Sequence, residues 1–593
     1  MKKRSAIKED YKWNLKDIFQ SDEEVFEEIK KLEKSVEKIK TYKGKLSDPK
    51  MCLDLFKLDD DISVKFANIY TYVMLKHVED ISNQKYVEMQ VVVSNFAQKI
   101  SENSVFIEPE LNSLSAEYIE GLINDKRFKS YALSLKELLR NKPHILSEIE
   151  EKILTKSEKF AGDFSDIFDN IDNVDLKFED AYDSNGKKYE LNNATFGKLR
   201  ESKDRVLRES AYKNLMKGFI SLSNTIATNY IGSVKSDWFY TDVHGHKSTL
   251  DASLFGLNMD RIVYNTLIEK VNETLPLVHK YYALRKKILN LNTLYAYDLS
   301  VPLTKYAPKM SFPVAVGHVK KALSVMGEEY ISLIEKSLLE RWVDIYPNLN
   351  KESGAFSCGS AYSVHPYVKL NHMDNIDGAF TFAHEIGHAI HSYYSNKNNP
   401  YTLCHYPIFL AEIASTTNEV LLLKYFYKNA KTKQEKLHFL DEYIRMFTST
   451  IFRQTQFSEF EEYAHKLVEA DQPISRDILK NYYKKLNLKY EGKVVKHLNE
   501  SDYVWLRIPH FYSSFYVFKY ATGLTSAVCI ASNILNNVPN AKENYFNFLK
   551  SGGNDYALNI LKRAGVDLTT SKPYEVAFSE LKWAINEMKK LAD

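Results

Sequence analysis

The sequence is short of cysteine: four in 593 residues, Cys52, Cys358, Cys404 and Cys529, with no paired spacing. That excludes a disulfide framework and a thiolate metal site, and a reducing cytoplasm is the expected location. Any bound ion must then be held by histidine and carboxylate side chains. Long hydrophobic runs are also missing. The most apolar stretch, "ATGLTSAVCIASNIL" from Ala521, falls short of the ~20 residues of a spanning helix and is broken by Thr, Ser and Asn. The start, "MKKRSAIKEDYKWN", is basic but has no apolar segment behind it, so no export signal is read. Neither sign of charge prevails. The 80 Lys and Arg nearly cancel the 78 Asp and Glu, which leaves no global field for nucleic acid or an anionic membrane. There is no fixed-period repeat, low-complexity tract, phosphate loop, Gly-x-Ser-x-Gly elbow or dinucleotide fingerprint.

What is present is ordinary globular material, 44% hydrophobic and 27% charged. The length suits roughly two to four domains, or one very large helical body. Over residues 22–40, Val25, Phe26, Ile29, Leu32, Val36 and Ile39 recur at helical spacing with charges opposite. Such patterns fill most of the chain, so the fold class is mainly α. One hairpin signal interrupts them: Asn185-Gly186 between "LKFEDAY" and "KKYELN", which places a small β excursion at about 174–192 and a domain boundary near 195. Residues 1–194 and 195–593 are the two expected regions. A second β candidate, "GAFSCGSAYSVHPYVKLNH" at 354–372, precedes the most informative motif; within it, 359–371 could offer an edge strand to an extended peptide.

That motif is "FAHEIGHAIHS", 382–392. On a helix His384 and His388 stand one turn apart on the same face, where two imidazoles can hold one ion, and Glu385 points around the axis. Glu385 could then reach an attacking water without being a ligand. A solvated helix face would produce the same five residues, so a third ligand decides. The pattern with glycine three and histidine six residues after the second His fails, because those positions hold His391 and Tyr394. A glutamate from a second helix remains: "PIFLAEIASTTNEVLLLKYFY" offers Glu412, set among apolar and small residues where a lone carboxylate is costly. Ala414 and Ser415 would permit close helix approach. Glu419, two turns on, could orient a histidine or form a surface ion pair.

"AHEIGHAIHS" followed by "AEIASTTNE" resembles the M3 metallopeptidases, specifically their oligoendopeptidase F branch. "YKWNLKDIF", "KPHILSEIEEKIL", "HPYVKLNH", "RIPHFYSSFYVFKYATG" and "YALNILKRAGVDLTTSKPYE" extend the resemblance along the chain in the same order. It implies a large two-lobed helical metallopeptidase around a deep substrate channel that admits peptides and shuts out folded proteins. It implies one Zn2+ on His384, His388 and Glu412, with Glu385 as general base. It also implies oxyanion donors in "HFYSSFYVFKYATG": His510, with Tyr516 first and Tyr520 second for the tyrosine. The expected activity is hydrolysis of internal bonds in short unstructured peptides. A related carboxypeptidase and a non-catalytic zinc-stabilised scaffold are the alternatives. His244 and His246 could chelate a metal from a strand but also suit a solvated turn; His391 could add an imidazole or a structural hydrogen bond; and His365 could touch substrate or be a polar loop residue.

Overall fold

The structure is a computed structural model and describes all 593 residues. Helices dominate, and the strands are two or three residues long. The chain forms two compact units, each built from three segments: Met1–Pro143, Ala307–Tyr425 and Asn533–Val566 in the first, and His144–Tyr306, Phe426–Ser532 and Asp567–Asp593 in the second. Residue 194 falls inside the second unit.

In the first unit, Asp22–Ile39 buries Val25, Ile29, Leu32, Val36 and Ile39, as its spacing predicts, while Phe26 stays partly exposed. The next helix, Pro49–Glu79, begins with proline in its first turn, and the Asp48 side chain accepts from the Lys50 N–H. These two and Gln84–Ser104 pack around a shared core. Each fully buried Val, Leu or Ile there adds about 1.5–3 kcal/mol.

The same unit holds a three-stranded sheet. Tyr367–Lys369 is its middle strand, antiparallel to Phe356–Cys358 and parallel to Val343–Asp344. The stretch 359–371 therefore offers no free edge, contrary to the sequence expectation, because its only strand is bonded on both sides. Val343–Asp344 gave no sequence signal: two residues are too few to show a period. The sheet packs on the helix Ile376–Asn398, which carries the histidine motif, and the loop after Cys358 presses on it. A Cβ on Gly359 would lie 2.4 Å from Ser392 Cβ.

The second unit contains the hairpin, with Ala181–Tyr182 paired to Lys188–Tyr189. Gly186 takes φ +78°, a left-handed conformation glycine adopts without penalty. The Asp183 carboxylate accepts from the N–H groups of Asn185 and Lys187, both at 2.9 Å. The hairpin packs on the helix Arg205–Ser221, and elsewhere in the unit the helices Ser223–Val243, Arg453–Glu469 and Arg476–Glu491 pack on one another. Here Arg285 and Asp441 form a buried ion pair at 2.9 Å. No helix is long and apolar enough to cross a membrane.

Candidate metal centre

The helix Ile376–Asn398 starts where the Asn375 side chain accepts from the Gly378 N–H at 3.0 Å, an N-cap that satisfies one orphan donor. It buries Phe382, Ala383, Ile386, Ala389 and Ile390 on one face. The helix runs as far as Asn398, and a further short helix follows at Tyr401–Cys404. Beyond it, Ile408–Asn429 returns against the first helix.

That approach is close for a specific reason. A Cβ on Gly387 would sit 2.7 Å from Ser415 Cα and 3.0 Å from the Ala414 carbonyl oxygen. The small residues at 414 and 415 do permit close approach, and Gly387 inside the motif is their counterpart. Asn418 fixes the alignment: its amide donates to the Ala383 carbonyl at 3.0 Å, and its oxygen accepts from the Tyr330 hydroxyl at 2.9 Å. Sequence reasoning missed Gly387, Asn418 and Tyr330. Glycine within an otherwise helical pattern was the available signal.

His384, His388 and Glu412 gather their ligand atoms within 4.8 Å of one another. The two Nε2 atoms are 3.2 Å apart, and Glu412 Oε2 is 3.4 Å from that of His384 and 3.6 Å from that of His388. Donors bound to one ion at ~2.0–2.1 Å in tetrahedral geometry lie ~3.3 Å from each other, so the trio fits a metal ion. The second nitrogen of His384, Nδ1, lies 2.6 Å from Glu419 Oε1. A proton shared there leaves the Nε2 lone pair free for an ion.

Glu412 differs from expectation in one respect. Its side chain is 52% exposed, so it is not an enclosed carboxylate, although partial burial still pulls its pKa upward. The hydrogen bond from His388 is the main cause that holds its carboxyl below the ordinary range, helped by the charge of both histidines. Glu385 is buried, and burial raises its pKa against the opposing pull of His384 and His388. For His384, burial works against the proton, but the hydrogen bond and charge of Glu419 outweigh it and raise the pKa. His391 is not part of the trio. It stacks on Tyr406 with ring centres 3.7 Å apart, its Nδ1 has no hydrogen-bond partner, and burial pushes it down to about 3.

The late aromatic residues form a cluster within the second unit. His510 Nε2 is 3.5 Å from the Tyr520 hydroxyl, and burial lowers the pKa of the ring. The Tyr516 ring lies 5.4 Å from that of Tyr520 and 6.4 Å from that of His510, with the Lys519 ammonium 4.9 Å over it. All three residues thus stand together. His365 is occupied otherwise: it stacks on Trp342 at 4.8 Å and its Nε2 is 3.0 Å from Asp17. His244 bonds through Nδ1 to the Tyr240 carbonyl at 2.7 Å, while His246 stacks on His144 at 3.9 Å. They join no metal-binding group.

The sequence profile of peptidase family M3 matches residues 198–580, and that of oligopeptidase F matches 110–178. The chain belongs to peptidase family M3. Its curated relatives in the family include Oligopeptidase PepF of Bacillus subtilis, 36% identical over 591 residues, spanning 99% of this chain and 88% of that protein. The oligoendopeptidase F homolog of Borreliella burgdorferi is 38% identical over 599 residues, spanning 99% of each. Among solved structures, oligoendopeptidase-F from Enterococcus faecium is 32% identical with a TM-score of 0.72, covering 96% of this chain and 99% of that one. A crystal structure from Chlamydophila abortus is 33% identical with a TM-score of 0.95, covering 100% of both.

Proposed function

We propose that this M3 peptidase is a zinc-dependent endopeptidase that hydrolyses internal bonds of short, unstructured peptides. The trio His384, His388 and Glu412 carries the reading: two nitrogens and one oxygen converge at ligand separations, with a buried glutamate, Glu385, next to the first histidine. A nitrogen-rich donor set of this kind suits zinc. Bound there, zinc would polarise the scissile carbonyl and make the attacking water more acidic. Glu385 accepts that water's proton and passes it to the leaving nitrogen. Glu419 holds His384 in the tautomer that keeps Nε2 free. His510 and either Tyr516 or Tyr520 donate hydrogen bonds to the oxyanion, each worth about 3 kcal/mol in the transition state.

In this reading residues 195–593 carry the chemistry and 1–194 form the N-terminal region. A cytoplasmic location agrees with four cysteines that form no disulfide.

The test is cleavage of an internally quenched peptide blocked at both ends, with and without chelator, followed by zinc add-back and mass mapping of products. Internal cuts that vanish with chelator and return with zinc are expected. Trimming of free peptides only would make the protein an exopeptidase, and inertness with zinc retained would make it a scaffold. Glu385→Gln should lower kcat by roughly 10²–10⁴-fold with zinc content unchanged. Near-normal turnover in that variant would sink the mechanism.

A further inference from the structure

The segment that carries His510, Tyr516 and Tyr520 turns on one residue. The Tyr516 N–H donates to the Ser513 carbonyl at 3.1 Å, closing a turn with Ser514 and Phe515 at its centre. Phe515 takes φ +52°. A third turn position with positive φ ordinarily belongs to glycine or asparagine, because a bulky side chain is strained there. Something outside the turn must hold it.

Two carboxyls do so, from two helices. The Phe515 N–H donates to Glu461 Oε1 at 2.6 Å, and the Ser514 hydroxyl donates to Asp237 Oδ2. Glu461 lies on Arg453–Glu469 and Asp237 on Ser223–Val243, all within the second unit. The Phe515 ring is buried against His465, one turn beyond Glu461, with centres 4.9 Å apart.

Glu461 is fully buried, yet its other oxygen, Oε2, has no hydrogen-bond partner. Burying a carboxyl is costly unless hydrogen bonds offset it. This one makes a single hydrogen bond, and that bond is to the strained residue. We propose that Glu461 is a positioning residue: its buried carboxyl, bonded to the Phe515 N–H, holds the left-handed turn that sets the directions in which His510, Tyr516 and Tyr520 leave the chain. Asp237 anchors the neighbouring Ser514. The inference rests on the reading of those three residues as oxyanion donors.

Burial pushes the Glu461 carboxyl well above its usual range, so a neutral amide is a close substitute that still accepts from the Phe515 N–H. Three measurements on the zinc-loaded, full-length protein test the assignment. Glu461→Ala should lower kcat at least tenfold, with KM and zinc content unchanged. Glu461→Gln should restore kcat to within threefold of the parent. In a His510→Gln background, Glu461→Ala should cost little more, since the group it positions is gone. Asp237→Ala, which removes the acceptor for the Ser514 hydroxyl on the adjacent residue of the turn, gives an independent measure if Glu461→Ala does not fold.

Loss of kcat in Glu461→Ala or Asp237→Ala that disappears in the His510→Gln background supports the role. Unchanged kcat in either variant while His510→Gln is impaired overturns the positioning role alone. Full additivity of the losses also overturns it, because it marks a general loss of stability. Unchanged kcat in His510→Gln, Tyr516→Phe and Tyr520→Phe removes the oxyanion reading and this inference together.

Discussion

His384 presents its two nitrogens to two partners, Nε2 toward the trio and Nδ1 toward Glu419 at 2.6 Å. Replacing Glu419 should therefore act on metal affinity more than on fold. Glu419→Ala is expected to weaken zinc binding by roughly 10–100-fold, read by competition with a chromophoric chelator, with the circular dichroism spectrum unchanged. A second single-residue prediction concerns His465, which is 1% exposed and pushed by burial from 6.5 to about 3. The folded ring stays neutral where the unfolded ring takes up a proton. Its contribution to stability is therefore complete above pH 6.5 and is lost as pH falls toward 3. The neighbouring Asp237 and Glu461 titrate too, so the informative quantity is the difference from His465→Gln, which keeps both. Between pH 6.5 and 4 the parent should lose stability faster than that variant, by on the order of 1 kcal/mol per unit, in denaturant titrations at each pH. At this scale the sequence was legible wherever chemistry fixes a spacing. His384 and His388 follow from one helical turn, and Glu419 from two turns after Glu412. Asn418 and Tyr330 were not legible, since their value lies in which backbone and side chain tertiary packing brings to them.

At the scale of elements, the site depends on how closely two helices approach. Gly387 faces backbone atoms of the second helix, and a Cβ there would sit 2.7 Å from Ser415 Cα. Gly→Ala within a free helix stabilises by about 1 kcal/mol. Here the added methyl meets main chain that cannot rotate away, and overpacking of that kind costs about 1–3 kcal/mol. Gly387→Ala is expected to lower Tm and weaken zinc binding together, because it separates the helix of His384 and His388 from that of Glu412. An unchanged Tm would mean that the helices are free to slide. The helical character of both segments was legible, since long periodic patterns declare themselves. The exposure of Glu412 was not: apolar neighbours in sequence do not say which face of a helix lies open. The sheet failed for a related reason. A three-residue strand carries no mark of being central, so Tyr367–Lys369 could be read as a strand but not as one bonded on both sides.

At the scale of the molecule, each compact unit is assembled from three separate stretches of chain. A sequence without linkers or repeats gives no sign of such crossings, which is why a single boundary near 195 was the natural expectation. The division bears on what metal removal should do. All three candidate ligands, His384, His388 and Glu412, lie in the first unit, which has its own core of buried aliphatic and aromatic residues. The ion is thus not needed to create a core, unlike in small zinc domains that are unfolded without metal. A bound ion still stabilises the state that binds it, by about 4 kcal/mol when free metal is a thousandfold above Kd. Chelation should therefore abolish activity, leave far-ultraviolet circular dichroism nearly unchanged and lower Tm. Hydrogen exchange should locate the change: faster exchange in Ile376–Asn398 and the first turns of Ile408–Asn429, with Ser223–Val243 and Arg453–Glu469 in the second unit unaffected. Global loss of helix on chelation would make the ion part of the fold. Exchange unchanged everywhere, with metal lost, would place the bound ion elsewhere than on these two helices.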